Sequence, residues 1–254
     1  MKLAGKTDIG NQRHENQDNY RAGREQNDTV WAVVCDGMGG ARGGKLASNL
    51  AAAHIENIFS SEIKAVDTSE KLREFILSTI SSANALVYNT ALKDSAMRGM
   101  GTTLVCAVVQ NNYLHYANVG DSRLYLYRDN ELIQLTRDHS MVQELVEQGS
   151  ITESEAFVHP HKNLITRALG VQSEVEIDYA EIEVHDGEEL ILCSDGLSNY
   201  VSLMDMSAIV KNCDFFEQCE QLVSKALNAG GQDNITAVLI GIEQQDAFTE
   251  DKNG

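Results

Sequence analysis

Five aspartates in this sequence each occur where a predicted strand or turn begins or ends. They are Asp18, Asp36, Asp121, Asp195 and Asp233. In the segment VVCDGMGG an apolar strand delivers one carboxylate into a glycine-rich turn, and LILCSDGLSN repeats the pattern late in the chain. A single Asp-Gly pair is typical of an ordinary turn. Because burying a charge is costly, five such placements call for a further explanation.

These carboxylates could do chemistry together if they met at one end of a sheet. Two carboxylates about 4 Å apart would repel each other by about 4 kcal/mol at an effective dielectric constant of 20. A hard divalent cation would convert that repulsion into attraction. Because the set consists of oxygen ligands without His or Cys, it favours Mg²⁺ or Mn²⁺ over zinc.

Two further residues extend this interpretation to phosphoryl chemistry. Gly37 has no side chain to hinder its carbonyl, which could bind one ion while Asp36 bridges two. Two ions about 3.5–4 Å apart can acidify a shared water and clamp a phosphoryl group for in-line attack. Arg13, five residues before Asp18, offers a planar fork for two phosphate oxygens. Its spacing fits an ordinary surface arginine equally well.

The composition narrows the classes of function. A length of 254 residues fits one large domain or at most two small ones. The formal net charge of −18 argues against a nucleic-acid binder, which needs clustered Lys and Arg, and against docking on anionic membranes. The negative charge can serve solubility. It is also explained if several carboxylates converge on bound cations, which would offset part of the formal charge, and both explanations can hold.

Cysteine usage and the N-terminal segment indicate the compartment. The five cysteines form no CxxC pair and mostly lie in apolar runs, so we expect buried free thiols in a reducing environment. The segment MKLAGKTDIG lacks the apolar region of a signal peptide. No segment approaches the ~18 apolar residues of a membrane span. The sequence therefore predicts a cytoplasmic protein.

Apolar runs predict six strands, at residues 31–35, 103–109, 113–119, 123–127, 189–193 and 235–240. The second, third and fourth are separated by short polar turns, a pattern that predicts an antiparallel meander. Helical periodicity covers residues 46–58 and 72–87, with Asp67 and Glu70 as the expected cap of the second helix. A last helix is expected at about residues 216–228. Together these elements predict an α/β or α+β fold with antiparallel sheets.

Residues 138–165 differ from the rest of the chain and are called the flap below. Ser140 with Gln143 and Thr152 with Glu155 are candidate capping boxes, which predict two short helices divided by Gly149. Polar residues dominate this segment. We therefore expect it to leave the core and to cover a site.

The ordered motifs resemble those of the PPM/PP2C metal-dependent protein Ser/Thr phosphatases, in the compact bacterial form. The resemblance spans residues 7–240 and rests on TDIGNQRHENQDNY, VVCDGMGG, GTTLVCAVV, YANVGDSRLYLY, LILCSDGLSN and GGQDNITAVLI. It implies an α+β four-layer sandwich (α-β-β-α), in which helices flank two packed, mostly antiparallel sheets. It also implies one phosphatase domain at residues 1–244, with the flap as a subdomain and a short tail at 245–254.

The same resemblance implies a role for each site residue. Asp36 would bridge two catalytic Mn²⁺ or Mg²⁺ ions, and the Gly37 carbonyl would bind the second. Asp195 and Asp233 would complete the coordination of the first ion. Asp18 would contact an ion through a metal-bound water, and Arg13 would bind the substrate phosphate. Asp121 with Asp195 would hold a third, weaker ion. His159 and His161 in the flap would contact the substrate.

One position departs from the family pattern. Several members have a histidine just after the Asp-Gly pair, proposed to protonate the leaving alkoxide, whereas this chain has Met38, which cannot transfer a proton. A metal-bound water, a water acidified by the third ion, or His159 and His161 could replace it. His139 and His14 are weaker candidates.

The expected function is hydrolysis of phosphoserine and phosphothreonine in proteins (EC 3.1.3.16) without a covalent intermediate. The sequence has no Cys-x5-Arg loop for a thiolate nucleophile. A different binuclear hydrolase would mix His with Asp in its motifs, and an inactive binding module would have lost one of the key aspartates. The resemblance also implies phosphoprotein substrates, a cognate membrane-bound Ser/Thr kinase and a monomer. It leaves Mn²⁺ or Mg²⁺ and tolerance of phosphotyrosine open.

Overall fold

The computed structural model describes residues 1–25 and 28–243. The tail predicted at 245–254 lies outside the described residues. Among the helices of the described part, none combines the length and the apolar composition that a membrane crossing requires.

Two antiparallel sheets form the centre of the molecule. The strands are β1 Lys2–Asp8, β2 Asp18–Arg24, β3 Val30–Met38, β4 Gly101–Thr102, β5 Leu104–Gln110, β6 Tyr113–Val119, β7 Arg123–Arg128, β8 Glu131–Gln134, β9 Asp178–Glu183, β10 Glu189–Cys193 and β11 Ile235–Gly241. One sheet has the order β1-β11-β10-β7-β8, and the other has the order β2-β3-β5-β6-β9 with β4 paired to β3. All six predicted strands are present.

Helices flank both sheets. They are α1 Gly40–Glu62, α2 Ser69–Lys93, α3 Met141–Glu147, α4 Glu153–Val158, α5 Asp195–Ser198, α6 Leu203–Asn212 and α7 Phe215–Asn228. The side chains of Ser140 and Thr152 cap α3 and α4, which confirms the two short helices of the flap. The predicted cap of α2 is wrong by one residue. Thr68 accepts the amide hydrogen of Lys71, while Asp67 forms an exposed ion pair with the Lys71 side chain.

Three apolar cores confirm the four layers. Strand β3 shows how one sequence serves two of them, because successive side chains of a strand point to opposite faces. Val30, Ala32 and Val34 pack between the two sheets, whereas Trp31 and Cys35 pack against α1 and α2. The third core lies between the other sheet and α5, α6 and α7. A strand buried on both faces explains why residues 31–35 read as a continuous apolar run.

The predicted meander is wrong at its last step. Strands β5 and β6 pair as expected, but the second edge of β6 is taken by β9. The chain therefore crosses to the other sheet through residues 120–122, called the crossing turn below, and β7 pairs with β10 and β8. This crossing carries Asp121 past the ends of both sheets.

Five of these strands and two of these helices were not predicted. They are β1, β2, β4, β8, β9, α5 and α6. Strands β1, β2, β8 and β9 occupy sheet edges, where, within the described residues, one backbone edge has no strand partner and polar side chains are tolerated. Strand β9, with the sequence DYAEIE, has too few apolar residues for its alternation to be recognised.

Candidate metal centre

Asp36 lies where β3 leaves the sheet, and its backbone is fixed on both sides. Its amide donates to Thr103 Oγ1 at 3.0 Å, and its carbonyl accepts from the Thr103 amide at 2.8 Å and from Thr102 Oγ1 at 2.9 Å. Asp18 is its partner across the β2–β3 ladder. The register of one antiparallel pair thus brings two of the predicted site residues side by side.

The residue after Asp36 has to be glycine because helix α1 packs directly on the strand end. A Cβ at Gly37 would collide with the Gly44 carbonyl and would lie 2.8 Å from the Gln17 carbonyl. Gly37 also donates its amide to the Gln17 carbonyl at 3.2 Å. The close approach lets the glycine-rich turn reverse the chain within a few residues of the carboxylate.

Asp195 and Asp233 are brought together by neighbouring strands of the other sheet. Asp195 follows β10 as the first residue of α5 and accepts from Asn199 Nδ2 at 3.0 Å. Asp233 precedes β11, the strand that pairs with β10, and accepts from Arg13 Nη2 at 2.7 Å. Because the two sheets pack face to face, the ends of β3, β10 and β11 open into one space.

Asp18 lies behind these carboxylates and is 6% exposed. Its Oδ2 accepts from Ser194 Oγ and from Thr236 Oγ1, both at 2.7 Å. Its Oδ1 is buried and has no hydrogen-bond partner among the residues that the structure describes. A buried carboxylate oxygen without a partner is costly. This oxygen of Asp18 therefore calls for a hydrogen-bond donor or a cation.

A cavity of about 750 Å³, called the acidic cavity below, collects the predicted site residues. Those that line it are Arg13, Asp36, Gly37, Asp121, Asp195 and Asp233. Met38 and His14 also face it. From the flap, Asn163, Leu164 and Ile165 line the cavity, while His159 and His161 do not. The flap therefore reaches the cavity through residues 163–165, and substrate contact by His159 and His161 stays a prediction.

Burial and like charges raise the pKa of three aspartates that line the acidic cavity and of Asp18 behind them. Burial raises the pKa of Asp36 well above its usual range, and the charges of Asp18 and Asp195 raise it further. Burial, with Asp233 as its neighbour, raises the pKa of Asp195 to about 7. Burial also raises the pKa of Asp18 to about 6 and that of Asp121 well above its usual range. A divalent cation would reverse this preference.

The donor set fits a hard divalent cation. It consists of carboxylates with one unpartnered buried oxygen, and it lacks the thiolates and imidazoles that zinc prefers. In the part of the chain that the structure describes, no three His, Cys, Asp or Glu side chains are arranged to hold an ion by themselves. Magnesium-type ions keep several waters and use few protein ligands. A carboxylate-lined cavity with room for water therefore suits them.

Several residues that support the centre were not singled out from the sequence. Asn234 accepts from the Gln17 amide at 2.8 Å and donates to the carbonyls of Ile9 and Glu15 at 2.9 and 3.0 Å. It thereby ties the segment that carries Arg13 to the start of β11. The polar residues in GTTLVCAVV and GGQDNITAVLI were the available signal, because polar side chains next to buried strands need partners.

Comparison with known proteins identifies the family. The model of the family described as protein phosphatase 2C matches residues 5–239. The chain belongs to this family. It is 39% identical over 236 residues to a serine/threonine phosphatase of Listeria monocytogenes, covering 92% of this chain and 93% of the relative. It is 38% identical to the protein phosphatase PhpP of Streptococcus pneumoniae, covering 97% and 100% of the two chains.

Solved structures agree with this assignment. The serine/threonine phosphatase of S. agalactiae superposes with a TM-score of 0.90 at 32% identity, covering 95% of this chain and 99% of that one. The catalytic domain of the phosphatase PstP, solved with two manganese ions, superposes with a TM-score of 0.85 at 32% identity, covering 96% and 98%. The predicted family, the fold and the activity of a metal-dependent protein serine/threonine phosphatase are confirmed.

Proposed function

We propose that this phosphatase hydrolyses phosphoserine and phosphothreonine in proteins by direct attack of water on phosphorus, without a covalent enzyme intermediate. The observation that carries the proposal is the convergence of four aspartates and an arginine, from five separate segments, on one cavity. Burial and neighbouring carboxylates raise the pKa of Asp36, Asp121 and Asp195 there. Ionised carboxylates in such a site repel one another when no cation is bound, and bound cations would stabilise them.

Asp36, Asp195, Asp233 and the Gly37 carbonyl would hold two Mn²⁺ or Mg²⁺ ions, which supply an acidified water and neutralise phosphoryl charge. Asp121 with Asp195 would hold a third, weaker ion. Asp18 orients the site from behind, because Ser194 and Thr236 fix one of its oxygens and leave the other free. The hydrogen bonds between the Asp36 backbone and Thr103, one in each direction, keep Asp36 directed into the acidic cavity.

Arg13 holds the phosphate in this proposal. Its guanidinium stands at the cavity, where Nη2 pairs with Asp233, and the side chain remains 53% exposed. The remaining N–H groups of the planar guanidinium can donate in parallel to two phosphate oxygens. The contact with Asp233 holds the guanidinium at the cavity.

The leaving group needs a proton, and Met38 cannot supply it. Of the four histidines considered, His14 lines the acidic cavity and His159 and His161 do not, while both ring nitrogens of His139 have partners. We propose that water, rather than a side chain at position 38, protonates the serine or threonine oxygen.

We further propose that the substrates are phosphoproteins, that the phosphatase opposes a cognate Ser/Thr kinase, and that it works as a monomer in the cytoplasm. All residues proposed to hold the ions and the phosphate belong to this chain, so the proposed chemistry requires no second copy. Cys35, Cys106, Cys193 and Cys219 are buried free thiols, a condition that fits a reducing compartment.

The direct test is phosphate release from a phosphothreonine peptide after chelation, with Mn²⁺ and Mg²⁺ added back separately. Asp36→Asn should remove metal-dependent release, whereas Asp67→Asn, at an exposed aspartate far from the cavity, should leave it unchanged. Release without added metal, or full release by Asp36→Asn, would overturn the proposal. Metal binding without release would favour a binding module instead.

Arg13→Ala tests the phosphate contact. We expect KM to rise about tenfold with a smaller change in kcat, because the arginine binds phosphate in both the ground state and the transition state. Arg98→Ala, at an exposed arginine, is the matched control. Kinetics of Arg13→Ala that equal those of the wild type would remove Arg13 from the site.

A further inference from the structure

His139 lies at the base of the flap, is 1% exposed, and forms two hydrogen bonds with the crossing turn. Its backbone amide donates to the Gly120 carbonyl at 2.9 Å, and the Gly120 amide donates to its Nδ1 at 3.1 Å. Gly120 immediately precedes Asp121, whose side chain faces the acidic cavity. The imidazole therefore holds the peptide unit that leads into Asp121.

The tautomer of His139 follows from these partners. A backbone amide can only donate, so Nδ1 must carry no hydrogen, and the ring hydrogen of the neutral imidazole resides on Nε2. Nε2 lies 3.1 Å from Asp178 Oδ2, an acceptor for its hydrogen, and 3.3 Å from Arg167 Nη1. Asp178 is held in turn by Arg167 Nη1, which donates to Oδ1 at 2.8 Å. With both nitrogens engaged, the ring is a structural link and not a proton donor to substrate.

The crossing turn leaves little freedom for Asp121 once His139 is in place. Gly120 has a φ of +108°, and a Cβ there would lie 2.7 Å from Thr103 Cγ2. On the other side, Ser122 Oγ lies 2.7 Å from Thr103 Oγ1. Thr103 is the residue that also anchors Asp36. Thr103 therefore fixes the position of Asp121 relative to Asp36, and His139 fixes it relative to the flap.

Both stems of the flap meet at His139. Its carbonyl accepts from the Thr166 amide at 2.8 Å, and the Met141 amide donates to the Leu164 carbonyl at 2.8 Å. Ser140 and Ile165 form a β-bridge between these contacts. Leu164 and Ile165 line the acidic cavity, so a displacement of the flap stems reaches Gly120 through the backbone amide and the side chain of His139.

We propose that His139 is a positioning residue that fixes Asp121 in the acidic cavity and couples it to the flap. This inference rests on the proposed role of Asp121 in holding the third, weaker ion. The imidazole acts through its hydrogen bond to Gly120 and touches neither substrate nor ion. The family motifs in the sequence assign no such positioning role to His139.

Two substitutions test separately the contact of Nδ1 with the Gly120 amide and the contact of Nε2 with Asp178. The side-chain oxygen of His139→Asn falls near the position of Nδ1 and can still accept from Gly120, whereas the amide of His139→Gln reaches toward Asp178 and leaves the Gly120 amide without its acceptor. In metal-free protein, we expect the Gly120 amide to exchange with deuterium at least tenfold faster in His139→Gln than in wild type, with a smaller increase in His139→Asn. His115→Asn, at a histidine that is 2% exposed on β6, is the matched control.

Binding of Mn²⁺, measured by calorimetry, gives the second readout. His139→Gln should weaken the weakest of the bound ions about 10- to 100-fold, the usual effect of losing a residue that orients a ligand. It should leave the tighter ions unchanged. Asp121→Ala should remove the same ion, and the double variant should lose no more than Asp121→Ala alone. Unchanged Gly120 exchange, or a weak ion retained in His139→Gln at wild-type affinity, would overturn the inference.

The outcomes separate this inference from the proposed function. If Asp121→Ala binds as many ions as the wild type, the assignment of Asp121 fails and the coupling of His139 to a metal fails with it. If Asp121→Ala loses an ion and His139→Gln does not, only the positioning role fails. Should His139→Gln not fold, Asp178→Asn weakens the same chain from its far end, and faster Gly120 exchange in that variant supports the inference whereas wild-type exchange refutes it.

Discussion

Two regions of this molecule contain carboxylates that are shielded from water. The regions differ in the partners that the fold supplies to those carboxylates. Glu188, 7% exposed at the start of β10, receives the guanidinium of Arg128 through both Nε and Nη2, the latter at 2.9 Å. Burial alone would raise the pKa of Glu188, but Arg128 and the His185 amide outweigh it and lower the pKa. Among the side chains that the structure describes, none forms such an arginine fork with Asp36 in the acidic cavity, and the pKa of Asp36 is raised by burial.

The difference shows where the fold supplies its own counter-charge. Asp138 is a second example of a supplied partner, because Arg123 donates to it through both Nε and Nη2. At the cavity, Arg13 donates to Asp233 through Nη2. Among the side chains that the structure describes, the aspartates of this sheet end have no arginine fork, an arrangement that suits a bound cation, whereas the Arg128–Glu188 and Arg123–Asp138 pairs are complete.

The largest expected effect comes from removing a carboxylate from the cavity. Asp36→Asn should lower metal-dependent turnover by more than about 100-fold, since even residues that only orient a metal ligand cost that much. Without metal, its thermal unfolding temperature should equal or exceed that of the wild type, because like-charge repulsion is relieved. Phosphatase assays and thermal unfolding in chelator measure the two effects. Loss of stability together with activity would make Asp36 a structural residue like Glu188.

The opposite pattern is expected for the complete ion pair. Glu188→Gln should lower the free energy of unfolding by about 1–3 kcal/mol, because Arg128 loses a charged hydrogen-bond partner. Turnover below the unfolding temperature should stay within about twofold of wild type. Urea unfolding and phosphatase assays decide the matter, with Glu174→Gln at an exposed position as the control. A stable but inactive Glu188→Gln would abolish the distinction between the two regions.

The smallest expected effect is the pH dependence of metal stabilisation. An unfolded aspartate has a pKa near about 3.9, whereas the metal-free fold raises that of Asp18 to about 6 and that of Asp195 to about 7. The unfolded chain therefore gives up these protons first, and the metal-free protein loses stability as pH rises from about 4 through 7.

Ion binding requires the ionised carboxylates, so the added stability from Mg²⁺ should grow over the same range. We expect the difference in Tm with and without Mg²⁺ to be larger at about pH 8 than at about pH 5. The change should be smaller in Asp195→Asn. A difference that is constant across this pH range would contradict the raised pKa values of the cavity.

Much of the site was readable from local sequence. Asp36, Asp195 and Asp233 each adjoin a buried strand whose apolar run is unmistakable, and Gly37 is demanded by the close approach of α1. The resemblance of the ordered motifs supplied their grouping. The helices of the flap were also predictable, because the caps at Ser140 and Thr152 are local hydrogen bonds.

Edge strands and the crossing turn were not readable. A short polar turn between two apolar runs is typical of a hairpin, yet residues 120–122 cross between sheets. The reason is that β9, about sixty residues further along the chain, takes the free edge of β6. Local sequence contains no signal for that competition, because strand pairing depends on segments that are distant in the chain.

The sequence by itself determined which residues can bind a divalent cation and that each lies at the end of a strand. Only the tertiary structure decided that Asp18 turns one oxygen to Ser194 and Thr236, that Asp121 is carried between the sheets, and that His139 holds it there. The physical reason is that a side chain's type and its local backbone are set by neighbours in the chain. Its partners are set by the packing of two sheets whose strands are joined out of order.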